Sequence, residues 1–185
     1  MPPSEDELRR IWEHVAYEIG MFAYCQERLA QTSYRQGERS ALLEAYAVHA
    51  RALFDFLFHV PAMADRPVLA VHFVRDLEAW RYAKGKTPRV LDQLKTRVGT
   101  EVAHLTYDRL EVGPEAKGWD IPEISKALRG ALATFLAHAR DEFPPIVIGP
   151  EAVPDALVVA TGTDHASSTH FTMTSLKNTR EPDGT

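Results

Sequence analysis

The stretch "ERSALLEAYAVHARALFDFLFHV", residues 38–60, decides the fold. It sets Leu43, Tyr46, Ala50, Leu53 and Leu57 at i, i+3, i+7, i+10 and i+14, a single stripe at helical period, and Phe54 and Phe58 widen the apolar face. A face that broad belongs to the most buried helix of a bundle. Pro61 ends the segment, so the spacing predicts a helix over Glu38–Val60.

Four more helices follow from the same signals on either side. Upstream, Ser4 and Glu7 stand at capping-box spacing before a periodic segment from Glu5 to Gln31, and "QTSYRQGE" breaks it. Downstream, Asp65 and Pro67 read as the start of a third helix to Lys84, with Leu69, Phe73, Leu77 and Trp80 facing inward. After "KGKTP", Thr87 and Pro88 repeat that start signal for a fourth helix whose core stripe is Leu91, Leu94, Val98, Val102 and Leu105. "EVGPEAKG" interrupts again. Asp120, Pro122 and Glu123 then open a fifth helix to Phe143, with Ile124, Leu128, Ala131, Leu132 and Phe135 inside.

Past Phe143 the helical period is lost. Pro, Gly, Thr, Ser and β-branched residues dominate, and "DALVVAT" and "THFTMTSL" suit short strands or an extended arm. The expectation is therefore an all-α, up-and-down bundle of about five helices over residues 1–143. A tail over 144–185, irregular or partly extended, follows it.

Composition excludes several classes of function. With 45% hydrophobic and 25% charged residues the chain is of ordinary globular type. Cys25 is the single cysteine, which rules out an intrachain disulfide or a cysteine-based zinc site. The opening "MPPSEDELRR" is acidic with no apolar run after it, and no stretch has the uncharged length of a membrane span, so a cytoplasmic protein is expected.

The net charge of −5 is unevenly spread. Between Trp80 and Thr100, Arg81, Lys84, Lys86, Arg89, Lys95 and Arg97 face Asp92 alone, a local net of +5 against −10 for the remainder. Such a basic segment can hold a phosphate-rich ligand, and Lys84, Lys86, Arg89 and Lys95 are the candidate RNA contacts.

That segment leads into "KTRVGTEVAHLTYDR", residues 95–109. At about 100° per residue, Arg97 and His104 leave the same helix face within about 20° of each other, and Glu101 and Asp108 join them within about 60°. Two accounts compete. In one, the four form an i, i+4 ladder of charge pairs on a helix surface. In the other, His104 moves the proton of a ribose 2′-hydroxyl and Arg97 stabilises the charge on the phosphate, with no metal or other cofactor required.

Other chemistries lack their residues. Glu101 and His104 make one Glu-x-x-His pair, whereas a di-iron bundle needs two and further glutamates. H-E-x-x-H, a glycine-rich phosphate loop and G-x-S-x-G are all missing. His49 reads as a boundary histidine of the second helix, and Arg51 with Asp55 as an intrahelical ion pair on its outer face.

The span from Arg97 to His104 fits the arginine, four to six residues, histidine pattern of the HEPN superfamily, and "EVAHLTYDR" and "HARALFDFLF" are similar to stretches of uncharacterised bacterial members. The resemblance covers roughly Leu8 to Phe143. It implies a metal-independent endoribonuclease, of toxin or defence kind, that forms a homodimer so that two arginine and histidine sets line one RNA cleft. Arg97 would stabilise the phosphate, His104 would be the acid-base group, and an antitoxin-like protein would be a partner. Val98 stands where a polar residue usually follows the arginine. The resemblance thus also admits a non-catalytic helical module that binds a protein or another ligand.

Overall fold

The computed structural model describes residues 3–31, 33–59, 67–103, 107–110, 113 and 118–148. Five α-helices carry the fold: α1 (Glu5–Ala30), α2 (Gln36–Phe58), α3 (Leu77–Lys84), α4 (Arg89–Arg97) and α5 (Ile121–His138). The expected all-α bundle is the fold observed. Of the expected tail, residues 149–185 lie outside the described residues.

The first two helices form an antiparallel hairpin. Ser4 caps α1 in a reciprocal capping box: its hydroxyl accepts from the Glu7 N–H at 3.3 Å and its own N–H donates to the Glu7 carboxylate at 2.8 Å. Leu29 then meets Arg39, Phe22 stacks on Tyr46 and Glu18 meets His49, pairings that run in opposite directions along the two helices. The stripe of α2 is buried from Tyr46 onward, with Tyr46 and Ala50 fully inside and Leu53 and Leu57 nearly so, while Leu43 at its start is half-buried.

Helix α5 closes the bundle over this hairpin. The Asp120 carboxylate caps it, accepting from the Glu123 N–H at 3.0 Å. Leu128, Leu132 and Phe135 are fully buried. The Tyr46 hydroxyl shares a 2.8 Å hydrogen bond with the Ser125 hydroxyl, a buried polar link between α2 and α5, and burial pushes the Tyr46 phenol well above its ordinary pKa. At the other end Trp12, Phe56, Phe73, Trp80, Phe135 and Phe143 form an aromatic cluster with centroid spacings of 4.9–6.1 Å.

The third helix is shorter than its sequence signals suggest. In place of a continuous helix to Lys84 there is a 3₁₀ turn at Ala70–His72, a break, and then α3 from Leu77. The backbone of the break is spent on a different partner. Arg75 N–H donates to the His138 carbonyl at 3.0 Å and Arg140 N–H to the Phe73 carbonyl at 2.8 Å, an isolated antiparallel bridge that helical geometry would forbid. Asp76 restarts the helix, its carboxylate accepting from the Glu78 and Ala79 N–H groups at 2.9 and 3.0 Å. Phe73 and Trp80 are buried as expected, whereas Leu77 is partly exposed.

That bridge also ends α5 at His138 rather than at the expected Phe143. The chain beyond stays on the bundle. Phe143 packs on Trp12, whose indole N–H donates to the Pro144 carbonyl at 3.0 Å, and Ile146 and Ile148 lie against the core. No helix among the described residues is long and apolar enough to cross a membrane.

Candidate functional site

Helix α4 carries the residues singled out by charge and spacing. Leu91, Leu94 and Val98 anchor it to the core, as the stripe predicts, and Val102 packs partly against it. The α-helix stops at Arg97, however, and residues Val98–Ala103 continue as a π-turn. Gly99 is a poor helix former at the start of that turn, and Thr100 bends it, its hydroxyl donating to the carbonyls of Thr96 and Arg97 at 3.2 and 3.4 Å. A π-turn closes i to i+5, so each residue advances less than the α-helical angle. The single stripe expected for Arg97 and His104 rested on about 100° per residue and does not carry across this segment. His104 and Leu105 lie outside the described residues, as does the side chain of Asp108.

Arg97 is held on three sides. Its Nε and Nη2 donate to the two Glu101 carboxylate oxygens at 2.6 and 2.8 Å, and Nη1 donates to the Gly118 carbonyl at 2.8 Å. The guanidinium also lies over the Trp119 ring at 4.3 Å from its centroid. The pair is mostly shielded from water, with the two side chains 24% and 16% exposed. Arg97 therefore ties the π-turn to the chain just before α5. This is the Arg97–Glu101 rung of the ladder account, placed at a half-buried joint rather than on an open helix surface.

A second arginine braces the last turn of α4, just before the π-turn. Arg51 Nε donates to Asp55 at 2.6 Å, the expected ion pair, while Nη1 reaches across to the Lys95 carbonyl at 2.9 Å. Arg51 is thus an α2–α4 bridge and not a residue of the outer face. No local pattern signals a contact over that sequence distance. Trp119, beside the Asp120 cap, carries no local signal for its contact with Arg97.

The four candidate RNA contacts separate into two kinds. Lys84 is tucked in: its ammonium donates to the Leu57 carbonyl at 3.5 Å and sits 5.3 Å from the Phe58 ring centroid, which caps the carboxyl end of α2. Burial, reinforced by the charge of Arg81, lowers its pKa. Lys86, Arg89 and Lys95 are exposed, and among the described residues none of them pairs with a carboxylate. Lys86 and Arg89 flank the turn between α3 and α4, where Gly85 takes φ 63°. Arg97 points toward the chain before α5, and Lys95, two residues earlier, leaves the helix about 160° away from it into solvent. The basic residues are therefore not one stripe.

Two shallow grooves flank α4. One, of about 600 Å³, is lined by Arg89, Asp92, Gln93, Thr96 and Arg97. The other, of about 420 Å³, lies between Phe58, Lys84 and Val90 on one side and the small residues Ala127, Gly130 and Ala131 of α5 on the other. Elsewhere, His49 shares a 2.8 Å hydrogen bond with Glu18 across α1 and α2, with Tyr17 edge-on to its ring, an interhelical contact at the core boundary. Among the described residues there is no group of three or more His, Cys, Asp or Glu that could hold a metal ion. Cys25 is buried, and burial raises its thiol pKa, which leaves it a small hydrophobe of α1.

No family model, curated protein or solved structure matches the chain.

Proposed function

We propose that the chain is a HEPN-like helical module that binds RNA through the turn between α3 and α4, with Arg97 serving as a structural clamp. The observation that carries this reading is a contrast between cations. Arg97 is engaged by a bidentate carboxylate and a carbonyl, whereas Lys86 and Arg89 are exposed and pair with no carboxylate among the described residues, in the most basic part of an acidic chain. With three of its five N–H donors committed to Glu101 and Gly118 and its charge balanced by the Glu101 carboxylate, Arg97 is poorly placed to stabilise the transient charge of a phosphorane. Cations open to water still attract a phosphate backbone and release its counterions on binding. The test is to incubate the purified protein with labelled RNA in EDTA. The reading expects complex formation with the RNA intact, and an absence of binding at low salt would overturn it.

A second reading is favoured by the π-turn itself, since such turns recur at functional sites and this one separates Arg97 from His104. Here the protein is a homodimeric, metal-independent endoribonuclease with an antitoxin-like partner, and Glu101 releases Arg97 when RNA binds. It expects cyclic-phosphate ends in EDTA, and a fall of about 10²-fold in rate for His104→Ala. Intact RNA after prolonged incubation with the full chain rules it out.

A further inference from the structure

We propose that Tyr82 is a stacking platform for an unpaired nucleobase, which makes single-stranded RNA the ligand class; the inference rests on the RNA-binding reading above. Tyr82 lies on α3, about 160° around the helix from the fully buried Trp80, and is 92% exposed. Most other tyrosines among the described residues are occupied. Tyr17 meets His49, Tyr24 and Tyr34 meet Arg28, and Tyr46 is buried on Phe22. Tyr107 shares the exposure of Tyr82 but stands on a short 3₁₀ turn that follows the π-turn and not in the α3–α4 connection.

The fold itself has no use for an aromatic ring at this position. An exposed tyrosine contributes no buried area, and its helix propensity is below that of alanine by roughly half a kcal/mol. Its neighbours give the ring a ligand. Lys86 and Arg89, both exposed, follow it within seven residues across the turn at Gly85, while Arg81 is paired with Glu78 at 2.7 Å. Cations that follow a phosphate backbone, interleaved with an open aromatic face, form the recognition mode of single strands. A duplex holds its base faces in its own stack and cannot offer them.

Lys84 has a distinct part in this arrangement. By capping α2 at the Leu57 carbonyl and lying on Phe58, it fixes the end of α3 two residues beyond Tyr82. The platform is then rigid before ligand arrives, which reduces the ordering cost of binding. Lys84 is a positioning residue, and Tyr82 is the contact.

The experiment is an equilibrium titration by fluorescence anisotropy of the full chain against a labelled ten-nucleotide single-stranded RNA and against the same strand annealed to its complement. Wild type binds the single strand more tightly than the duplex. Tyr82→Ala, which removes an exposed side chain and keeps the helix, weakens single-strand binding about tenfold and leaves duplex binding unchanged. Tyr82→Phe retains wild-type affinity. Lys86→Ala weakens both ligands alike. Equal binding of the single strand by wild type and Tyr82→Ala, with Lys86→Ala still weakened, overturns the platform while the RNA-binding reading stands. Failure of wild type to bind either RNA at low salt overturns both.

Discussion

Two residues show most directly how single side chains set the behaviour of this bundle. Arg97 and Glu101 form a bidentate, mostly shielded pair, so removing either leaves its partner short of hydrogen bonds in a poorly hydrated joint. Arg97→Ala and Glu101→Ala should each lower stability by roughly 1–3 kcal/mol, and the double variant should cost much less than the sum of the two. Urea unfolding of the three variants measures this, and additive losses would deny the pairing. His72 supplies a pH dependence. Its Nδ1 accepts from the Leu69 N–H at 3.3 Å, a bond open only to the neutral ring, and burial lowers its pKa from the ordinary value of 6.5. The unfolded chain therefore takes up the proton first as pH falls. Stability is full above the unfolded value and is lost as pH drops through it toward the folded one. His72→Gln should flatten that part of the stability curve, and an unchanged slope would assign the acid sensitivity elsewhere.

At the level of elements, helix existence was legible in the sequence and helix continuity was not. The caps at Ser4 and Asp120 and the stripes of α2 and α4 are local signals, and the chain obeys them. The breaks at residues 73–76 and 98–103 involve distant partners, the second together with the local effects of Gly99 and Thr100. The first follows from a backbone bridge to residues 138–140, the second from braces by Arg51 and by Gly118 with Trp119. Period alone extended both helices through these points; the π-turn departs from the 100° per residue on which the Arg97 and His104 stripe rests, and His104 lies outside the described residues. The site was legible to the same degree. Lys86 and Arg89 are exposed as a basic segment should be, whereas Lys84 turns inward because α2 ends beside it with open carbonyls. Lys84→Met should cost roughly 0.3–1 kcal/mol of stability through the lost cap. Its effect on the salt dependence of RNA binding should be smaller than that of Lys86→Ala, and equal effects would make Lys84 a phosphate contact after all.

Across the whole molecule, one core joins all five helices and the segment after α5. Phe143 and Pro144 cover Trp12 and Phe73, so residues 139–148 belong to the packed unit. A chain ending at residue 148 should unfold cooperatively at close to the full-length midpoint, while one ending at 138 should lose about 3–5 kcal/mol, the scale of deleting a buried aromatic. Thermal melts followed by circular dichroism distinguish the two, and equal midpoints for both truncations would show that the segment adds nothing. The acidic remainder of the surface leaves the α3–α4 turn as the place where a polyanion gains most from contact. The most direct test of that account is the salt dependence of single-stranded RNA affinity for wild type and for the double variant Lys86→Ala, Arg89→Ala. The account predicts that loss of two phosphate contacts makes the logarithmic slope shallower by about 1.4. Identical slopes for the two proteins would contradict it.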